Sequence, residues 1–272
     1  AEPTLGILGE LDNNKLEKIV AGIRRDGFYA FDVDLDSELQ NSLVNFANKT
    51  KAKYIDLSKE GVNYGSEKIL FDEQNPISPR YQFDSNDVIQ NDAVQTIAFD
   101  DGLRMIASNY LGCQPILDLA TMWWSAPFGN KGTDQSAQMY HFDMDRFKFL
   151  KFFFYLTDVD TNSGPHCYIR NTHKSIPSTI RKDRRIIDNE LTNFFKAEDI
   201  MEFVGKKGTI LAVDTRGLHK GKPLVDNARL LFQIQFSNSL FGAPHQKLNI
   251  ADQTDAIKKS KSQHPRTYQI IN

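Results

Sequence analysis

The chain of 272 residues has only two cysteines, Cys113 and Cys167, and no CxxC pair. Two such cysteines make neither a disulfide framework nor a cysteine zinc site, so we expect buried free thiols. A long hydrophobic run is also missing. The longest run, 149–156, contains Lys151 and is far shorter than the roughly 20 residues that cross a bilayer. The N-terminus has no basic start followed by an apolar segment, so we expect a cytoplasmic protein without a signal peptide.

An excess of charge of one sign is missing as well, since the formal net charge is −2. Nucleic-acid-binding proteins usually present a strongly basic face, so neither a nucleic acid nor a membrane is expected as a partner. Nineteen phenylalanines are present, which is enough to line an apolar pocket or simply to pack a core. The sequence leaves the oligomeric state open.

Periodicity divides the chain into a helical first part and a strand-rich second part. Apolar residues at helical spacing predict helices over 12–25, 36–50, 92–111 and near 252–261, with a loop-rich tract over 56–91. After Pro115, aromatic and β-branched runs alternate with turn residues. These runs predict strands near 118–126, 136–142, 147–157, 165–170, 208–214, 217–222 and 228–237. A further short helix is expected at 198–204.

Helices followed by many short strands favour an α+β, mainly β domain whose strands close into a jelly roll or barrel. No composition shift marks a domain boundary. We therefore expect one domain over 1–272, with a helical N-terminal part (1–114), a jelly-roll core (115–240) and a C-terminal tail (241–272).

The most informative motif is His141-Phe142-Asp143, with a second histidine, His219, far downstream and Arg229 ten residues after it. Residues i and i+2 of a strand share a face, so His141 and Asp143 project together. Two imidazoles and one carboxylate suit a non-haem Fe(II) ion and leave three coordination positions open. The sequence therefore predicts a metal site formed by His141, Asp143 and His219.

The other histidines of the chain fit this ligand set less well. An HxD triplet occurs by chance in many proteins, and the distal histidine with its arginine is what makes the combination specific. His166 and His173 flank a strand and its turn, where a structural role is the simpler explanation. His166 nevertheless stays open as an alternative third ligand.

Three stretches resemble the phytanoyl-CoA dioxygenase-like family of Fe(II)/2-oxoglutarate oxygenases. They are 138–143 (QMYHFD), 151–174 with its Ser-Gly-Pro and Asn-Thr-His-Lys segments, and 208–229 with the distal histidine and arginine. The resemblance covers roughly 115–240. It implies a double-stranded β-helix (jelly roll, cupin-like) with N-terminal helices packed on the major sheet.

The resemblance also implies a reaction and roles for residues. It implies Fe(II), the cosubstrate 2-oxoglutarate and O₂ as cofactors, and hydroxylation of a small molecule with release of succinate and CO₂. Arg229 would bind the distal carboxylate of 2-oxoglutarate, because a buried dianion needs a fixed forked cation. Lys151 and Gln138 are further candidates for cosubstrate binding, although an outward lysine and ordinary strand packing explain them about equally well.

The chain departs from the family pattern at Gly221, where some members carry a serine that helps hold the cosubstrate carboxylate. Asp143, by contrast, stands where related halogenases have a small residue, which argues for hydroxylation.

Residues that contact the substrate are harder to predict. The candidates are Arg80, Tyr81, Trp124 and Tyr155. The basic run 181–185 either meets a phosphate-bearing substrate or is a solvated loop, which is the more common case. A different class of function also stays open: a cupin-like metal-binding module, or a metal-dependent hydrolase, without oxygen chemistry. That alternative leaves Arg229 without a role.

Overall fold

The computed structural model describes residues 4–59, 62–128, 136–182 and 184–272. The helices are α1 (Asn13–Asp26), α2 (Ser37–Lys49), α3 (Ser85–Val88), α4 (Asp92–Ala98), α5 (Asp101–Leu111), α6 (Asp188–Leu191) and α7 (Asp255–Gln263). The strands are β1 (Thr4–Gly6), β2 (Gly9–Leu11), β3 (Phe28–Ala30), β4 (Ala52–Ile55), β5 (Tyr64–Ile69), β6 (Arg80–Gln82), β7 (Ile116–Ser125), β8 (Phe149–Tyr155), β9 (His166–Ile169), β10 (Ile200–Phe203), β11 (Ile210–Val213), β12 (His219–Gly221) and β13 (Arg229–Ser237).

The first two helices form where their apolar spacing and caps predict them. The Asp12 carboxylate accepts the backbone N–H of Lys15 at the start of α1, and Gly27 ends the helix with a φ of 91°. That left-handed conformation suits glycine, which has no Cβ. Asp36 caps α2 in the same way as Asp12 caps α1.

The prediction of one continuous helix over 92–111 is wrong, because this segment forms two helices, α4 and α5. Asp100 separates the two, with a carboxylate that accepts the backbone N–H groups of Leu103 and Ile7. A side chain that caps a new helix start competes with continued helical hydrogen bonding. The break also ties α5 to the N-terminal hairpin of β1 and β2.

The strands of the major sheet follow the order β3-β11-β8-β13-β7-β6-β4-β5. Residues of β8 alternate between two cores even though the strand is buried along its whole length. Phe152 and Phe154 join the core beneath the helices, whereas Phe153 and Tyr155 face the opposite side. The helices α3, α4 and α5 pack on this sheet, as the fold prediction expects.

The minor sheet has the order β10-β9-β12 and lies across the second core from the major sheet. Single-residue bridges extend it, pairing His141 with His219 and Tyr140 with Ile186. The predicted strand over 136–142 is therefore wrong and shrinks to these two bridges. Ala137 has a φ of 58°, which interrupts the extended conformation.

The predicted helix at 198–204 is wrong beyond its first residues. Ala197–Asp199 form a short 3₁₀ turn, and Ile200–Phe203 form β10, because pairing with β9 supplies their backbone hydrogen bonds. The predicted loop-rich tract 56–91 contains β5, β6 and α3 between its loops. Among the described residues, no helix is long and apolar enough to cross a membrane.

Candidate metal centre

The two histidines of the predicted site are held opposite each other by backbone pairing. The N–H of His141 donates to the carbonyl of His219 at 3.0 Å, and the N–H of His219 donates back at 2.9 Å. Side chains of directly paired residues share a face, and the two ring centroids lie 4.3 Å apart. The backbone N–H of Asp143 donates to the Thr215 carbonyl at 2.8 Å, which fixes the third residue beside them.

The ligand atoms of these three residues all lie within 4.8 Å of one another. Nε2 of His141 is 3.7 Å from Oδ1 of Asp143, and Nε2 of His219 is 3.6 Å from Oδ2. The cluster is mostly buried, since His141 and His219 are 8% and 6% exposed. The structure thus brings together the three residues that the sequence analysis singled out as metal ligands.

Hydrogen bonds on the far side of each ring leave the inner nitrogen free to bind a metal. Nδ1 of His141 lies 2.9 Å from the Met139 carbonyl, and Nδ1 of His219 lies 2.9 Å from the Gly217 carbonyl. A carbonyl only accepts, so each Nδ1 carries the proton and each Nε2 presents a lone pair to the cluster. This donor set fits a divalent transition metal with open positions.

The protonation states of the cluster agree with this chemistry. Burial, reinforced by the neighbouring His219, lowers the pKa of His141 to about 3. Burial likewise lowers the pKa of His219. For Asp143, burial alone would raise the pKa, but the Lys151 ammonium and the two imidazoles bring it well below its usual range. Two neutral imidazoles and one carboxylate are the forms that bind a metal ion.

Lys151 lies inside the site, against the carboxylates of Asp143 and Asp145. Its Nζ is 2.6 Å from Oδ2 of Asp143 and 3.2 Å from Oδ2 of Asp145. Burial alone would lower the pKa of Lys151, but the two carboxylates raise it, so the side chain stays an ammonium. The costly inward lysine of β8 is therefore compensated by anions, and its ion pair with Asp143 orients that carboxylate.

The cluster opens into a cavity of about 400 Å³ between the two sheets, which Arg229 also lines. Arg229 is 5% exposed, and its guanidinium donates to the Gly164 carbonyl and, at 3.4 Å, to the Ser125 hydroxyl. Its Nε is buried without a hydrogen-bond partner. A Cβ at Gly221 would lie 3.4 Å from Nη2, so the glycine leaves space beside the guanidinium. A buried arginine with an unused donor beside open space is suited to bind a carboxylate.

His166, the alternative third ligand, lines this cavity but stands apart from the three-residue cluster. Its ring centroid is 5.5 Å from that of His219, and it packs between Phe153 and Phe203. Burial lowers the pKa of His166 well below its usual value, and the neighbouring His219 and Arg229 lower it further.

The candidates for substrate and cosubstrate contacts divide between the cavity and its surroundings. Arg80 lines the cavity, whereas Gln138 is buried outside its lining. The structure places Tyr81, Trp124 and Tyr155 outside the lining as well.

Strand pairing and hydrogen bonds explain where these three side chains lie. Tyr81 pairs with Trp124 across β6 and β7, and both belong to the core beneath the helices. Tyr155 faces the space between the sheets but lies deep, where its hydroxyl donates to the Phe203 carbonyl at 2.8 Å.

Other residues of the cavity were not predicted from the sequence. Trp123, rather than its neighbour Trp124, faces the cavity, and Arg185 of the basic run lines it as well. Polar residues of β6, β7 and β13 complete the wall, namely Gln82, Thr121 and Gln233. Because side chains alternate along a strand, one of two adjacent tryptophans must face inward. Which of the two does so depends on the register between β7 and β13, the strand that carries Arg229.

A second hollow of about 630 Å³ lies on the other side of Asp143. Phe147 and Phe241 stack at its rim with centroids 5.1 Å apart, and both are mostly exposed. Because Asp143 lines both spaces, the cluster borders this hollow as well as the cavity.

Several solved structures share this architecture. The epimerase SnoN in complex with Fe³⁺, alpha-ketoglutarate and nogalamycin RO superimposes with a TM-score of 0.57 at 16% identity, covering 90% of this chain and 98% of that one. EvdO2 from Micromonospora carbonacea var. aurantiaca gives a TM-score of 0.57 at 15% identity, covering 97% and 99%. HygX from Streptomyces hygroscopicus, with nickel, 2-oxoglutarate and hygromycin B bound, gives 0.54 at 13% identity, covering 89% and 93%.

The chain has the double-stranded β-helix fold of non-haem, 2-oxoglutarate-dependent enzymes. The resemblance that the sequence motifs indicate is thereby confirmed at the level of the fold, as is the mainly β class with helices on the major sheet. No protein-family model matches the chain, and no curated protein matches its sequence.

Proposed function

We propose that this chain is an Fe(II)- and 2-oxoglutarate-dependent oxygenase that attacks an unactivated C–H bond of a small molecule. One observation carries the proposal: the cluster of His141, Asp143 and His219 opens into the same cavity as the buried guanidinium of Arg229. A structural metal site or a metal-dependent hydrolase has no need of that guanidinium, whereas a dicarboxylate cosubstrate does.

Each residue of the cavity then has a role. The Nε2 atoms of His141 and His219, with the Asp143 carboxylate, would hold the iron and leave positions open. Bound iron, 2-oxoglutarate and O₂ would supply the oxidising chemistry, with succinate and CO₂ as products. Arg229 would bind the distal carboxylate of the cosubstrate, and Lys151 would hold Asp143 in place and add positive charge near the cosubstrate.

We further propose hydroxylation as the outcome. SnoN, which shares the fold, is described as an epimerase, so the same architecture serves reactions other than oxygen insertion. Hydroxylation predicts a product that gains one oxygen atom, whereas an epimerised product keeps the mass of the substrate. Mass spectrometry of the product therefore tests this finer statement apart from the cofactor requirement.

The cofactor requirement is tested by anaerobic titration with Fe(II) and 2-oxoglutarate, followed by exposure to air. We expect a weak visible charge-transfer band on mixing and succinate once O₂ is admitted. Arg229→Gln should weaken 2-oxoglutarate binding by about ten- to a hundredfold, because it removes charge-assisted hydrogen bonds. Lys259→Gln, which removes an exposed charge on α7, serves as the control. A wild-type protein with neither band nor succinate, or an Arg229→Gln variant with unchanged affinity, contradicts the proposal.

A further inference from the structure

Positive charge exceeds negative charge in the cavity that holds the metal cluster. Among the residues that the structure describes, its lining contains four cations, Arg80, Lys151, Arg185 and Arg229, and one carboxylate, Asp143. A cation-rich wall in a partly desolvated site attracts anions, because the low dielectric strengthens each interaction.

Two of these cations already have partners or assigned roles. Lys151 is paired with Asp143 and Asp145. Arg229 is assigned to the distal carboxylate of the cosubstrate under the proposed function. The positive charges of a divalent metal and Arg229 would then be balanced by the negative charges of Asp143 and the cosubstrate dianion. Within the described part of the chain, no carboxylate forms an ion pair with Arg80 or Arg185, so their charges are left over.

Arg80 is fixed on the major sheet beside Arg229. Both residues pair with Ser125, from β6 on one side of β7 and from β13 on the other. Neighbouring strands lie about 4.8 Å apart, so the two backbones are separated by roughly 10 Å. The Arg80 guanidinium lies 4.2 Å above the Trp123 ring, and its Nη2 donates to Gln82 at 3.0 Å. Its Nε is buried without a hydrogen-bond partner, and no described carboxylate forms an ion pair with it.

Arg185 reaches the cavity from the opposite side. Its neighbour Ile186 exchanges two backbone hydrogen bonds with Tyr140, which directly precedes the ligand His141. No described residue forms an ion pair with the Arg185 guanidinium.

We propose that Arg80 and Arg185 form an anion subsite, and that the substrate of this chain carries a carboxylate or a phosphate. This inference rests on the proposed function, because Arg229 is set aside for the cosubstrate. Stacking on Trp123 fixes the plane of the Arg80 guanidinium, which suits forked hydrogen bonding to a planar or tetrahedral anion. Arg185 contacts the same anion from the minor-sheet side and directs the rest of the substrate toward the metal cluster.

The test uses the Zn(II)-loaded protein saturated with 2-oxoglutarate, so that Arg229 and the metal are occupied and no turnover takes place. Inorganic phosphate and benzoate are titrated separately by calorimetry and by tryptophan fluorescence. The chain has only two tryptophans, and Trp123 contacts Arg80. We expect at least one probe to bind with a dissociation constant on the order of a millimolar or below, and to bind more weakly at high salt.

Variants then locate the bound anion. Arg80→Gln and Arg185→Gln should each weaken it about tenfold or more, whereas the control Lys259→Gln should leave its affinity unchanged. Arg80→Lys keeps the charge but loses the fork and should give an intermediate affinity. The affinity for 2-oxoglutarate should change less than about twofold in all of these variants. Should Arg80→Gln fail to fold, Arg80→Lys and the loop variant Arg185→Gln still decide the question.

The two probes also separate the two anion classes, since preference for phosphate or for benzoate indicates which group the substrate carries. The proposal is overturned if neither probe binds the wild-type protein at millimolar concentration. It is also overturned if both glutamine variants bind the probe as the wild type does, because the anion then lies elsewhere, for example on the metal. Loss of 2-oxoglutarate binding in the wild type would instead refute the proposed function, and it is measured separately.

Discussion

A buried ion pair beside the metal cluster offers a quantitative test of how the site is supported. Nε of Arg146 lies 2.7 Å from Oδ2 of Asp118, and the two side chains are only 3% and 1% exposed. Gln235 donates to the same carboxylate at 3.2 Å, and Arg146 also donates to the carbonyls of Asp145 and Ala243. The pair thus joins the loop that follows Asp143 to β7 and β13.

Removing one member should cost far more than removing both. Asp118→Leu leaves the Arg146 charge buried without its anion, which costs about 3–5 kcal/mol. At about 2–4 °C per kcal/mol for a domain of this size, the melting temperature should fall by about 6–20 °C. The double variant Asp118→Leu/Arg146→Met replaces the pair with apolar groups and should recover much of that loss.

The single variant Arg146→Met should show a dependence on pH. Burial already raises the pKa of Asp118, against the opposing effect of Arg146, and loss of the arginine would raise it further. The folded state then binds more protons than the unfolded state above the usual pKa of an aspartate. The loss of stability should therefore grow as the pH rises from about 4 toward neutral.

The assay is thermal unfolding of the metal-free wild type, both single variants and the double variant, with Zn(II) affinity measured in parallel. We expect weaker Zn(II) binding in Asp118→Leu, because the ion pair with Asp118 anchors Arg146 in the loop that also carries Asp143. Equal melting temperatures for Asp118→Leu and wild type would refute the reasoning. So would a double variant whose loss equals the sum of the two single losses, because the pair would then carry no coupling.

Three further expectations follow from the site. In the metal-free protein, the depressed pKa values of His141 and His219 mean that unfolding takes up protons below about pH 6.5, so the melting temperature should fall on acidification from pH 7 to 5. Zn(II) at about a hundred times its dissociation constant should raise the melting temperature by about 5–10 °C, and His219→Ala should abolish that rise. Gly217→Ala should lower the melting temperature by about 2–10 °C, because its Cβ would collide with the Tyr168 hydroxyl. Gly221→Ala, where there is space, should change it by less than about 2 °C.

Differential scanning calorimetry measures all three. A melting temperature that stays constant between pH 7 and 5 would contradict the first expectation. An undiminished Zn(II) effect in His219→Ala would contradict the second, and equal behaviour of the two glycine variants would contradict the third.

The sequence predicted what depends on local chemistry. Asp12, Asp36 and Gly27 are cap residues at fixed offsets from an apolar stripe, so the bounds of α1 and α2 could be inferred closely. The placement of His141 and Asp143 on one side followed from the spacing of the pair. Their approach to His219 is a long-range pairing that spacing alone does not determine, and it was inferred from the donor types and the resemblance.

What depends on register could not be predicted. Strand β8 is buried on both faces, so its phenylalanines show no polar alternation that would distinguish the cavity side from the helix side. Trp123 and Trp124 are equivalent in sequence, and only the pairing of β7 with β13 places Trp123 opposite Leu231, which lines the cavity with Arg229. From the sequence alone, a position in a solvated loop is the simplest expectation for Arg185. In the structure, the bridge between Tyr140 and Ile186 holds Arg185 near the metal cluster.

These long-range pairings lead us to expect that the metal cluster also forms in the metal-free protein. The reciprocal hydrogen bonds between His141 and His219, and the bond from Asp143 to Thr215, are backbone interactions that do not depend on the ion. Most of the entropy needed to bring the ligands together is therefore lost when the sheets form. A metal should then bind without a large ordering cost and should add stability by mass action, rather than being required for folding. The metal-free protein is accordingly expected to keep its strand content by circular dichroism, and a metal-free protein that is unfolded at 25 °C would contradict this reasoning.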